Sequence, residues 1–240
     1  MSKVLIIGEH DGKTLNPATA KCVTCASAIP GAQISIAVFG ADTTAVATQA
    51  AAVAGVKSVL RIDRPENEHP LAAIFAPQVA ALAADFSHVF GPSTSFGKDL
   101  MPRTAALLGV PQVSDLMAVE SAYRFRRPIY AGNAIITVEA DSSRKLVATV
   151  RVASFEAAAN GGTATIESKS LSAALPSHTR YVGAKSGSTD RPDLQTLSLI
   201  HISERCPSDA RSPRCAADSR SWPGAWSRAC ESRRHRDCRY

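Results

Sequence analysis

The feature that most limits what this chain can fold into is a fourfold alternation, between Val4 and Gly109, of short apolar runs with single alanine-rich stretches. Val4-Leu5-Ile6-Ile7, Ile34 to Phe39, Ser58 to Ile62 and His88-Val89-Phe90 have the length and apolarity of strands covered on both faces. Ala18 to Ala28, Thr43 to Ala54, Pro70 to Ala84 and Lys98 to Leu108 read as helices between and after them. Asn16-Pro17 offers an N-cap oxygen followed by proline at the first helical position, where a missing N–H costs nothing. Pro30-Gly31 stops the first helix, and Gly55 and Gly109 can take the left-handed conformation that ends others. Short strands joined by one-helix connections predict parallel neighbours, right-handed crossovers and helices on both faces. The expected fold is α/β, a three-layer, doubly wound, mainly parallel sheet.

Past Gln112 the pattern changes. Leu146, Ala148, Val150 and Val152 alternate with Lys145, Thr149 and Arg151, and the run Ala134 to Ala140 precedes a turn at Asp141-Ser142-Ser143. These two runs predict an antiparallel hairpin added to the sheet. From Asn160 to Asp190, Gly, Ser, Thr and Ala dominate, which reads as a loosely ordered arm. The expected organisation is an α/β domain over 1–156, an arm or linker over 157–196 and a disordered tail over 197–240.

With 45% apolar and 20% charged residues in 240, the chain has the balance of a soluble globule and not of a disordered or fibrous protein. No apolar run approaches the roughly 18 to 20 residues that span a bilayer, so membrane insertion is not expected. The chain enters its first strand directly after Met1-Ser2-Lys3, leaving no room for a targeting peptide, and a bacterial cytoplasm is the expected compartment. The net charge of +6 is uneven: residues 201–240 hold nine Arg, no Lys and five acids, hence +4 of it. Four of the six cysteines and both tryptophans fall there as well. A basic balance held by such a stretch gives no reason to expect a nucleic-acid partner, which requires a basic surface organised by a fold.

Gly91-Pro-Ser-Thr-Ser-Phe-Gly-Lys-Asp99 lies between a strand end and a helix start, where backbone N–H groups can receive an anion. It fails as a phosphate loop, because its spacing is one residue too long and Asp99 stands where a magnesium-binding hydroxyl is needed. Ser93, Thr94 and Ser95 remain as a candidate ligand loop, against the reading of a serine-capped turn. Cys22-Val-Thr-Cys25 has dithiol spacing, but Cys22 falls in the second helical turn, beyond the free N–H groups that lower a thiol pKa. The tail cysteines, spaced C-x8-C-x14-C-x7-C, lack the close pairs of a zinc site. His10, His69, His88 and His178 are isolated, with His88 expected to be a structural hydrogen-bonding residue. No catalytic or metal-ligating residue is expected, and the chain is not read as an enzyme.

Gly91 to Arg103, Pro111-Gln-Val-Ser-Asp115, Arg127-Pro-Ile-Tyr-Ala-Gly-Asn-Ala-Ile135 and Thr149-Val-Arg-Val-Ala-Ser-Phe155 closely resemble the electron transfer flavoprotein alpha subunit family. The opening Val4 to Gly12 and Asp190-Arg-Pro-Asp-Leu194 are similar to it too, so the likeness runs from residue 1 to about 196. The resemblance implies a heterodimer in which this domain packs with the related beta subunit as a base for a mobile FAD domain. It further implies transfer of electrons from acyl-CoA and other flavoprotein dehydrogenases, as in fatty-acid β-oxidation, to a membrane quinone oxidoreductase. A structural AMP is implied on the beta subunit.

The family grips FAD with residues after the Arg-Pro-Asp-Leu junction, and there this sequence departs from the pattern. Leu197-Ser-Leu-Ile-His-Ile-Ser203 looks like a translated transposase end, followed by Arg-, Cys-, Ser- and Trp-rich text typical of GC-rich DNA read out of frame. Residues 197–240 are therefore expected to be a frameshift or adapter-derived tail, with the FAD domain missing and no FAD-contacting residue to carry over. The alternative is a free nucleotide-binding α/β module that uses the Gly91 to Gly97 loop.

Overall fold

The computed structural model describes residues 2–183. Strand β1 (Lys3–Ile7) lies at the centre of the sheet, with Val4, Leu5, Ile6 and Ile7 fully buried. It pairs in parallel with β2 (Gln33–Gly40) on one side and β4 (His88–Pro92) on the other. Helix α1 (Pro17–Ser27) connects β1 to β2, and Asn16 Oδ1 accepts from Ala18 N at 2.9 Å as the Asn-Pro pair predicts. Helix α2 (Thr44–Ala51) leads to β3 (Val56–Asp63), and α3 (Ala72–Leu82) leads to β4. Helix α4 (Ser95–Leu108) closes on Gly109, whose φ of 65° is the left-handed cap. With β5 (Gln112–Leu116), β9 (Leu146–Val150) and β10 (Thr165–Ser168) the strand order is β10-β3-β2-β1-β4-β9-β5, parallel throughout. Chain direction across the sheet reverses between β1 and β4.

Two apolar layers follow from this winding. One joins α1 and α2 to Val4, Ile6, Ile36 and Phe90, and the other joins α3 and α4 to Leu5, Ile7, Phe39 and Val89. Alternate residues of each central strand feed opposite layers, which is why these strands are apolar along their whole length. The doubly wound α/β reading thus holds, and so does the added antiparallel structure.

The partners in that antiparallel structure differ from expectation. Ala134–Glu139 (β8) pairs with β7 (Arg124–Ile129), setting Phe125 opposite Val138, and β6 (Ala118–Val119) completes a separate three-stranded sheet. Leu146–Val150 instead runs parallel between β4 and β5, with all five residues buried. Its alternation is not amphipathic, because Lys145 and Arg151 stand outside the strand. The hydroxyl of Thr149, the one polar residue inside, accepts from Asp115 N at 2.9 Å.

The described part of the arm is also tied down. Gly161 N and Gly162 N both donate to Ala52 O, Ala164 N donates to Ala51 O, and β10 then pairs with β3. A Cβ on Gly162 would stand 2.3 Å from Val53 O, so small residues here mark a backbone lying flush against its neighbour. The tail over 197–240, with its cysteine spacing, lies outside the described residues. No helix among the described residues is long and apolar enough to cross a membrane.

Candidate functional site

Open parallel α/β sheets bind ligands outside the carboxyl ends of their strands, near the point where the winding reverses. Here the loops after β1 and β4 meet at that point. Thr94 caps α4: its Oγ1 accepts from Gly97 N at 3.4 Å and donates to Glu9 Oε2 at 2.7 Å. The Glu9 carboxylate thus already stands at the start of α4, where a bound anion would lie. Partial burial raises its pKa, opposed by the Thr94 hydrogen bond. Ser95 is exposed, while Ser93 Oγ is shielded from solvent and has no hydrogen-bond partner among the described residues. Of the three candidate loop residues, Thr94 is thus engaged by the chain's own Glu9 carboxylate, while Ser93 and Ser95 make no side-chain hydrogen bond among the described residues.

Beside them, over the ends of β1 and β2, lies a cleft of about 340 Å³. Phe39, Phe75 and Phe96 form its inner side, with Phe39 and Phe75 rings 5.3 Å apart and Phe96 edge-on to Phe75. His10, Asp11, Asp42, Glu68 and His69 line the outer side. Gly12 N donates to His10 Nδ1 at 3.0 Å, so Nε2 carries the proton and donates to Phe39 O at 2.9 Å. Burial lowers the His10 pKa against that carbonyl's opposing effect, and the ring is held neutral. Asp11 Oδ1 accepts from Lys13 N and Thr14 N, and these bonds depress its pKa to about 2. The sequence reading missed this cleft because its residues come from five separate segments of the chain and none forms a motif alone.

Cys22 and Cys25 are fully buried on α1, and burial raises both thiols, Cys25 to about 12. Such thiols are inert hydrophobes. His88 is structural as expected: Nε2 donates to Ala122 O at 2.7 Å, and Nδ1 lies 2.8 Å from Ser87 Oγ. Burial lowers its pKa. Among the described residues no three His, Cys, Asp or Glu gather into a metal-binding group.

A family model described as an electron transfer flavoprotein domain matches residues 4–175, which is nearly the whole described fold. The chain belongs to this family. Among electron transfer flavoprotein relatives, it is 41% identical over 198 residues to the alpha subunit of Pseudomonas aeruginosa, a match covering 82% of this chain and 63% of that protein. It is 42% identical over 196 residues to the alpha subunit of Bradyrhizobium diazoefficiens, covering 82% and 62%. The mitochondrial alpha subunit of Dictyostelium discoideum is 34% identical over 214 residues, with 83% and 60% covered. The chain spans about six-tenths of the length of the curated relatives it matches.

Proposed function

We propose that this chain is the platform domain of an electron transfer flavoprotein alpha subunit and acts by pairing with a beta subunit. The assembly would pass electrons from acyl-CoA and other flavoprotein dehydrogenases toward a quinone oxidoreductase in a bacterial cytoplasm. The observation that carries this reading is the coincidence of the family match over 4–175 with the α/β fold, alongside relatives bearing the alpha-subunit name.

FAD supplies the electron-carrying chemistry of a flavoprotein, but the described residues do not fit it. A flavin dinucleotide needs donors for a pyrophosphate, and at the two helix starts beside the sheet reversal Ala18 N already donates to Asn16 and Gly97 N to Thr94, whose hydroxyl holds the Glu9 carboxylate there. The cleft adds three carboxylates and no Lys or Arg among its lining residues, with the Arg61 guanidinium beside it 3.9 Å from Asp42 Oδ1. No redox step is therefore assigned to this domain, which serves as scaffold, with residues 197–240 standing outside it and AMP belonging to the beta subunit. The same lack of donors weighs against the alternative of a free nucleotide-binding module built on Gly91 to Gly97.

Exposed apolar residues suit a paired role. Tyr130, Ile135 and Ile136 on the β7–β8 hairpin are 78%, 48% and 37% exposed, large apolar side chains that a lone domain leaves in water. Co-expression with the beta subunit of a bacterial relative tests the reading: a one-to-one complex is the expected product, and a strictly monomeric chain would contradict it.

A further inference from the structure

The arm after β9 is tied to the domain in two different ways, and the change falls at Lys169. Up to that residue the ties are backbone bonds: Ala54 N donates to Ala159 O at 2.8 Å, Gly161 N and Gly162 N to Ala52 O, Ala164 N to Ala51 O and Lys169 N to Arg61 O, with β10 paired to β3. Among the described residues, no backbone hydrogen bond ties residues 170–183 to the rest. Side chains alone fasten them. Leu171 and Leu175 rest half-buried on the apolar layer of α3 and α4, and Arg64 Nη1 donates to Leu171 O at 3.2 Å. The Tyr181 ring stacks on His69, with centroids 3.6 Å apart and 26° between the planes.

Such a fastening is local and shallow. Neither leucine is fully withdrawn from water, and Tyr181 is 42% exposed. The segment also stands off the turn between β3 and α3, leaving a cleft of about 330 Å³ lined by Pro65, Ile74, Leu175, Arg180 and Tyr181 among others, so the contact is not close-packed. A stretch with few buried apolar contacts and no backbone bonds opens without unfolding of the whole. The strand pairing of β10 stays in place when it does. Released from Lys169, residues 170–183 reach up to about 50 Å, whereas the stack holds their far end beside the start of α3.

We propose that residues 170–183 are a releasable strap, latched by Tyr181 on His69, which opens as a unit while β10 and the sheet stay folded and so sets the reach of the chain that follows. The inference is independent of pairing with a beta subunit. Native-state trypsin digestion of the full chain, followed by mass spectrometry, tests it through the bond after Arg180. A protease needs the residues around that bond extended, so the cutting rate tracks the released population. Cleavage there is expected well before cleavage after Lys57 or Arg61 in β3. His69→Ala should speed it about two- to tenfold without altering the rates in β3. Leu171→Ala, at the other end of the strap, should speed it as well, whereas Tyr181→Phe keeps the ring and should leave it unchanged. An unaltered rate in His69→Ala or Leu171→Ala, faster cutting in Tyr181→Phe, or an equal acceleration in β3 would overturn the proposal.

Discussion

A Cβ on Gly97 would stand 1.8 Å from Pro92 O, because the first turn of α4 lies against the end of β4. Gly97→Ala is therefore expected to cost about 1–3 kcal/mol in urea denaturation, a loss set by backbone contact and not by helix propensity, which favours alanine. The Cys25 thiol gives a pH signature. It ionises near 9 in the unfolded chain but only near 12 when buried, so between these values the folded state keeps a proton the unfolded state has lost. Stability should fall by about 1.4 kcal/mol per pH unit for that thiol as pH rises through this window. Cys25→Ala should remove that part of the slope, and an unchanged slope in paired melts would contradict the burial. The Asn16 cap and the Gly109 stop were legible in the sequence because each acts within a turn of its own position. The Glu9–Thr94 pair was not, since its members are 85 residues apart and meet only when β1 and β4 are neighbours.

At the scale of elements, strands with a continuous apolar run were readable and the charged β7 was not. Arg124-Phe-Arg-Arg-Pro-Ile129 pairs across its full length with β8, yet its arginines and proline mask it as a strand. Once β7 was hidden, β8 had no visible partner except Leu146–Val150. Composition misled in the arm for a different reason: glycine there answers close approach and not freedom. Gly162→Ala should lift the chain from the α2–β3 connection, and amide exchange is expected to quicken over β10 while β1 and β4 stay protected. Lys145 supports the neighbouring layer, its Nζ donating to Ala83 O, Ala84 O and Phe86 O at 2.8, 2.7 and 2.9 Å beyond the end of α3. Lys145→Met would leave three carbonyls without this partner, with an expected loss of about 1–3 kcal/mol.

Both apolar layers are built by described residues, from β1 to β9 and the four helices, and on that ground stability is expected not to depend on residues 197–240. A chain ending at Thr196 is expected to melt within about 2 °C of the full chain, and a larger fall would mean that the tail contributes to the fold. The family was legible in strings such as Arg127 to Asn133, whereas the cleft could not be read until β1, β2 and the start of α3 were brought together. On the proposed function, this chain pairs as a platform and holds no flavin of its own. Size-exclusion chromatography of the chain co-expressed with a beta subunit, recording visible absorbance across the peak, tests it directly. Co-elution of the two subunits without flavin absorbance is the expected result, and a yellow peak with one flavin per chain, or two separate colourless subunits, would contradict it.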